Sequence, residues 1–265
     1  MARKGCTQPA GQLMSAATGS SRQLRFAMPH SWRRYCQVTL GLYGLLWLAL
    51  AIAPSDRAAW ALENALVVAF VPALVASMRW FPLSRLSWTL ILAFLSLHTV
   101  GAHYTYAEVP YDAWSEALLG VNLNDLLGLE RNSFDRLVHF SYGLLMAYPM
   151  REMFLRVANA RGFWGYFLPL DLTLSTSALF ELFEWVAAEL FGGDLGVAYL
   201  GSQGDIWDAQ KDMALAGLGA AIAMTVTLLV NRRLQRDFNR EWAESLRIKH
   251  ALPLGEVELA RQATA

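Results

Sequence analysis

Six long apolar stretches, separated by polar segments, set the plan of this chain. They run from Cys36 to Ala53, Ala59 to Met78, Leu86 to Tyr106, Ser133 to Met150, Phe163 to Leu190 and Ile206 to Val230. Each reaches the ~17–25 residues a helix needs to cross the hydrocarbon of a bilayer. The pattern predicts an all-α, polytopic membrane protein with about six transmembrane helices in one bundle. The first run could pass for the apolar core of a signal peptide ending at Ala51-Ile52-Ala53. The long tail before it and Pro54 just after the cut position favour an uncleaved helix.

Polar residues punctuate these runs in ways that fit helix ends. Arg79-Trp80-Phe81-Pro82 closes the second run. Asn132 or Ser133 is placed to cap the fourth, which ends near Arg151 and Arg156. An aromatic belt of Phe163, Trp164, Tyr166 and Phe167 opens the fifth, and Asp205 sits where a cap for the sixth belongs. The domain plan that follows has a disordered, basic tail over 1–35, a membrane domain over 36–232 and a polar, partly helical tail over 233–265.

Composition sharpens the class. The chain is 55% hydrophobic and 17% charged, against about a quarter charged in average soluble domains. Net charge is zero and no basic stripe is present, so a nucleic-acid partner is not expected. Cys6 and Cys36 are the only cysteines, too few for a disulfide framework or a thiolate metal site. The distribution of cations gives an orientation. With both tails and the loops after the second and fourth runs in the cytoplasm, that side holds every one of the 22 lysines and arginines except Arg57, Arg131, Arg136 and Lys211. This predicts six crossings of a bacterial inner membrane with both termini inside.

Orientation turns scattered polar residues into a layer. His98 and His103 fall in the outer half of the third helix, Asp135 and His139 at the outer start of the fourth. Glu181 and Glu184 fall late in the fifth, and Asp205, Asp208 and Asp212 at the start of the sixth. Asp135 and His139 are four apart, Ser177, Glu181 and Glu184 follow i, i+4, i+7, and the three aspartates follow i, i+3, i+7. Each set therefore shares one helix face. His98 and His103 are five apart, about 140° around the helix, and share a face poorly. Ionisable groups inside a membrane are expensive and usually face partners, cavities or ions. Glu63, near the start of the second run, reads as a headgroup-level or inter-helix hydrogen bond. Glu108 and Asp112 read as a solvated face, and Trp185, Trp207 and Tyr104 as interfacial belt.

Histidine with several carboxylates suits zinc, manganese or ferrous iron, and the oxygen-rich part suits magnesium. The expected metal ligands are Asp135, His139, Glu184, Asp208, Asp212 and His103, with Glu181 or His98 as general base on a metal-bound water. No Glu-x-x-His or His-Glu-x-x-His motif supports the set.

The segments GAHYTYAEVPYD, DRLVHFSYGLLMAYPMRE, FELFEW and QGDIWDAQKDM, in this order, make the chain resemble the YjdF family of bacterial multi-pass inner-membrane proteins. The likeness covers about residues 36–235. Its motif positions match His103, Tyr104, Asp112, Asp135, His139, Glu181, Glu184, Asp205, Asp208 and Asp212. The resemblance implies membrane location and topology and supplies no reaction. A looser likeness to VanZ-like membrane proteins lies in the Asp-x-x-x-His of the fourth run.

Three functions compete at this level. One is a metal-assisted, membrane-embedded enzyme acting on a lipid or amphiphile from the outer side, with Arg136 placed for an anionic headgroup. The second is a proton- or metal-coupled transporter, which needs a polar path onward to the cytoplasm. There Asp171 is the only acidic candidate. The third is a structural or sensory subunit whose polar layer only packs helices.

Overall fold

The computed structural model describes residues 28–193, 196, 202–249, 253 and 255–263. Most of the expected N-terminal tail and part of the loop after residue 193 lie outside them. Among the described residues every regular element is a helix. The elements are α1 (His30–Leu50), α2 (Arg57–Ser77), α3 (Arg85–His103), α4 (Tyr111–Leu119), α5 (Leu123–Leu127), α6 (Phe134–Val157), α7 (Trp164–Phe191), α8 (Asp208–Leu234), α9 (Phe238–Ser245) and α10 (Glu256–Ala263).

Local chemistry accounts for most of these limits. Asp56 accepts the Ala59 N–H at 2.7 Å and starts α2, and Ser84 accepts the Ser87 N–H at 3.1 Å and starts α3. Ser133 holds the N-cap position of α6 without a side-chain cap bond, and Asn132 just before it accepts the Phe134 N–H at 3.0 Å. α1 begins at His30, ahead of its apolar run. Pro29 sets the turn, and Trp32 Nε1 donates to the Leu83 carbonyl at 3.1 Å. The tertiary contact to the start of α3 lets a polar turn stay helical. α4 and α5, short helices inside the 108–132 loop, end at Gly120 (φ 69°) and Gly128 (φ 64°), the left-handed residues that close a helix. They were not legible as runs because each is too short to show a period.

α2, α3 and α8 are long and apolar enough to cross a membrane by length and composition. α1, α6 and α7 are 21, 24 and 28 residues long, of spanning length but outside that apolar set. α6 is the centre of the assembly, packed most extensively on α8 and also on α3 and α7. α1 and α2 attach to α3. Large apolar side chains such as Leu45, Val68, Phe183, Val226 and Leu229 remain exposed along these helices, a coat that suits hydrocarbon rather than water.

Small residues make the α6–α8 contact possible. Ala147, Ala216 and Ala220 are fully buried. A Cβ added at Gly143 would collide with the Ala216 carbonyl oxygen, and one at Gly219 with that of Phe140. These obstacles are backbone, which cannot swing aside. Close approach through small residues is how helices associate where lipid removes the hydrophobic drive.

Candidate functional site

At the end where α6 begins, the polar groups of five helices meet around a cavity of about 620 Å³. Glu63 (α2), His98 (α3), Asp135 and His139 (α6), Glu184 (α7), and Asp208 and Asp212 (α8) all line it. Glu63, His98, Asp135, Asp208 and Asp212 are buried. The face-sharing spacings on α6, α7 and α8 place these groups together.

Two sets of three within the cluster have metal-like geometry. His139, Glu181 and Asp212 each offer one donor atom, all within 4.8 Å of one another. Asp135, Asp208 and Asp212 do the same, so Asp212 belongs to both. The sets differ in what already satisfies them. Arg131 Nη2 lies 3.0 Å from Asp135 Oδ2 and also pairs with Asp208. Glu181 Oε1 in the other set and Asp212 Oδ1, shared by both, are buried without a hydrogen-bond partner among the described residues, as is Asp135 Oδ2 apart from its ion pair with Arg131. His139 Nδ1 stands 3.7 Å from Glu181 Oε1, and Ser177 Oγ nearby is likewise buried without a partner. Ser177 and Asp212 line the cavity and Glu181 does not; buried polar atoms are nearly always hydrogen-bonded, so these neighbouring orphans call for an explanation.

Asp205 does a different job from the rest. It sits ahead of α8, where its Oδ1 accepts the Trp207 N–H at 3.0 Å and its Oδ2 receives Lys211 at 2.6 Å and Arg136 at 2.5 Å. The Lys211 hydrogen bond, with the Trp207 N–H, holds its carboxyl at a pKa of about 2. The expected helix cap is thus an Asx-type turn and an ion-pair node, and Arg136 is engaged by Asp205.

The two histidines of α3 part company as their 140° offset predicts. His98 lines the cavity and bonds the Tyr106 hydroxyl through Nδ1. His103 Nδ1 lies 2.7 Å from the Leu50 carbonyl, tying α3 to the end of α1, and His103 is not among the residues that line the cavity. Tyr106 folds back over α3 because residue 101 is glycine: a Cβ there would meet the Tyr106 ring at 2.7 Å. Thr105 (φ 51°) and Tyr106 (φ 55°) are both left-handed, a conformation costing about 1–3 kcal/mol for such residues. Both line the cavity, so the backbone strain lies at the site itself.

Three residues that the sequence reading set aside or passed over take part. Glu63, read as a headgroup contact, lines the cavity on α2. Its depth was visible, but its direction depends on how α2 packs. Arg131, from the acidic loop, is the counter-ion of Asp135 and Asp208. Its position four residues before Asp135 was the available signal. Tyr106 falls after α3 ends, where helical spacing carries no information. Asp112 braces the loop by accepting the Asn124 N–H at 3.0 Å, Glu108 is exposed, and Trp185 and Trp207 are exposed as a belt would require.

Comparison with known proteins bears on the whole chain. A family described as "Predicted membrane protein (DUF2238)" matches residues 35–233. The chain is 39% identical over 197 residues to "Inner membrane protein YjdF" of Escherichia coli (strain K12), across 74% of this chain and 88% of that one. No solved structure matches. Matched from within α1 almost to the end of α8, the chain belongs to this family of membrane proteins.

Proposed function

We propose that the protein is a six-helix inner-membrane protein, with both termini in the cytoplasm and the membrane domain spanning 36–232. Its outward-facing pocket binds one divalent cation at His139, Glu181 and Asp212. With that cation it catalyses metal-assisted hydrolysis or transfer at the polar end of a lipid or other amphiphile. The observation that carries this reading is the pair of orphaned buried oxygens, Glu181 Oε1 and Asp212 Oδ1, grouped with His139 within 4.8 Å. A purely structural network would satisfy such atoms, because each one left bare costs about 1–3 kcal/mol. One imidazole and two carboxylates are a donor set that would suit zinc, manganese or iron.

A cation there would supply a water of lowered pKa and polarise an ester or phosphoester oxygen. Glu184, one turn beyond Glu181, and His98 on the opposite wall are placed to exchange protons with the reacting group. Arg131 and Arg136 are already paired with Asp135, Asp208 and Asp205, so the remaining acidic groups of the pocket favour a cation. Transport is less well supported. Of the acids in the inner half, Asp171 is exposed on α7 and Glu152 of α6 is taken up by Ser84, Ser87 and Arg156, and neither lines the cavity.

The test is elemental analysis of the purified protein, prepared without chelator, beside His139→Ala and Asp212→Asn. About one divalent ion per chain is expected in the parent, falling at least about tenfold in folded variants, as loss of a ligand implies. A metal-free parent after incubation with zinc, manganese and magnesium would remove the metal from this reading.

A further inference from the structure

We propose that the cavity is a slot for one aliphatic chain of a membrane amphiphile, with the polar end at His139 and Asp212 and the methyl end at Met146 and Met150. This rests on the reading of the pocket as a site for an amphiphile, and it adds how the substrate lies and how it enters. The residues of α6 that line the cavity are Asp135, Val138, His139, Tyr142, Met146 and Met150. They form a single stripe on one face, and at a helical rise of 1.5 Å per residue the stripe is about 22 Å long. Apart from Val138 beside the first turn, its chemistry runs from a carboxylate and an imidazole, through a phenol, to two thioethers.

The neighbouring helices repeat that gradient. Glu63 on α2, His98 on α3 and Glu184 on α7 lie at the polar end, and deeper along the same helices the wall is made by Phe70, Phe94 and Thr176. Thr176 does not break the apolar character, because its hydroxyl is bonded to Tyr142 at 2.6 Å. Among the described residues, no ionisable group lines the deep end. Methionine there suits a flexible chain, since its unbranched, polarisable side chain adapts to irregular shapes. The volume falls in the range of about 300–1,000 Å³ in which pockets bury a small ligand.

The slot also has a doorway. Leu66 and Phe70 line the cavity and are 50% and 39% exposed, so the slot is open beside them on α2. α2 packs on α3, whereas the facing wall from α7 is held by α6 and α8. A chain leaving the bilayer laterally enters between these two independently held walls without dragging its polar end through hydrocarbon.

Extraction into bilayer discs without detergent, followed by mass spectrometry of the retained lipids, tests the slot. The parent is compared with Met150→Trp, which fills the deep end, and Met150→Ala, which lengthens it. The parent should retain aliphatic lipid, with chain lengths shifted shorter in Met150→Trp and longer in Met150→Ala relative to the surrounding membrane. Unchanged chain lengths in both variants, or no enrichment of any lipid in the parent, would overturn it. Metal content is measured on the same samples, so loss of the slot and loss of the cation site are read separately. A thermal melt excludes unfolded variants from the comparison.

Discussion

Arg131 decides which carboxylates are available. Its guanidinium takes up Asp135 and Asp208, with side chains only 13%, 11% and 9% exposed, and so fills one of the two candidate cation positions with a cation of the chain's own. Removing one partner of such a buried pair typically costs about 3–5 kcal/mol, because the remaining charges are stranded. Arg131→Met should therefore lower thermal stability by about 3–5 kcal/mol, and adding Asp208→Asn should recover part of that loss. A double-mutant cycle by thermal denaturation in detergent measures both. A loss under about 1 kcal/mol, the size of an exposed pair, would mean that solvent screens this cluster.

Among the helices, the α6–α8 contact controls the geometry of the pocket, because these two helices carry both Asp135–His139 and Asp208–Asp212. The contact depends on Gly143 and Gly219 lying against carbonyl oxygens of the opposite helix. Overpacking a tight interior costs about 1–3 kcal/mol where side chains can adjust, and here the obstacle is backbone. Gly143→Val should cost at least about that much and spread the two helices. Gly44, with open space around its Cβ position, provides the control: Gly44→Ala should leave the melting temperature unchanged or raise it. Equal melting temperatures for Gly143→Val and the parent would show that the helices are not held this closely.

Across the molecule, the apolar coat, the family match and the cation distribution describe one object, a helical protein set in an inner membrane. The proposed topology keeps both termini inside, so a fluorescent-protein fusion at the C-terminus should glow and a phosphatase fusion there should be inactive. Fusions in the loop after α3 should behave the opposite way. Activity of a C-terminal phosphatase would reverse the proposed orientation and put the pocket on the cytoplasmic side.

The sequence by itself determined the class of the protein, the positions of its long helices and most of its polar layer. Helical periodicity and burial in lipid are local properties, so a run such as Phe163–Leu190 is legible without its neighbours and reappears as α7 within a residue at either end. Spacing also predicted that His98 and His103 would diverge, and they do. Pairings between distant residues needed the tertiary structure. Whether Asp208 meets a metal or Arg131, whether Glu63 faces lipid or the cavity, and which polar atoms stay unpartnered all depend on how α2, α6 and α8 rotate against one another. Those rotations are set by side-chain packing summed over whole interfaces, and no single stretch of sequence encodes them.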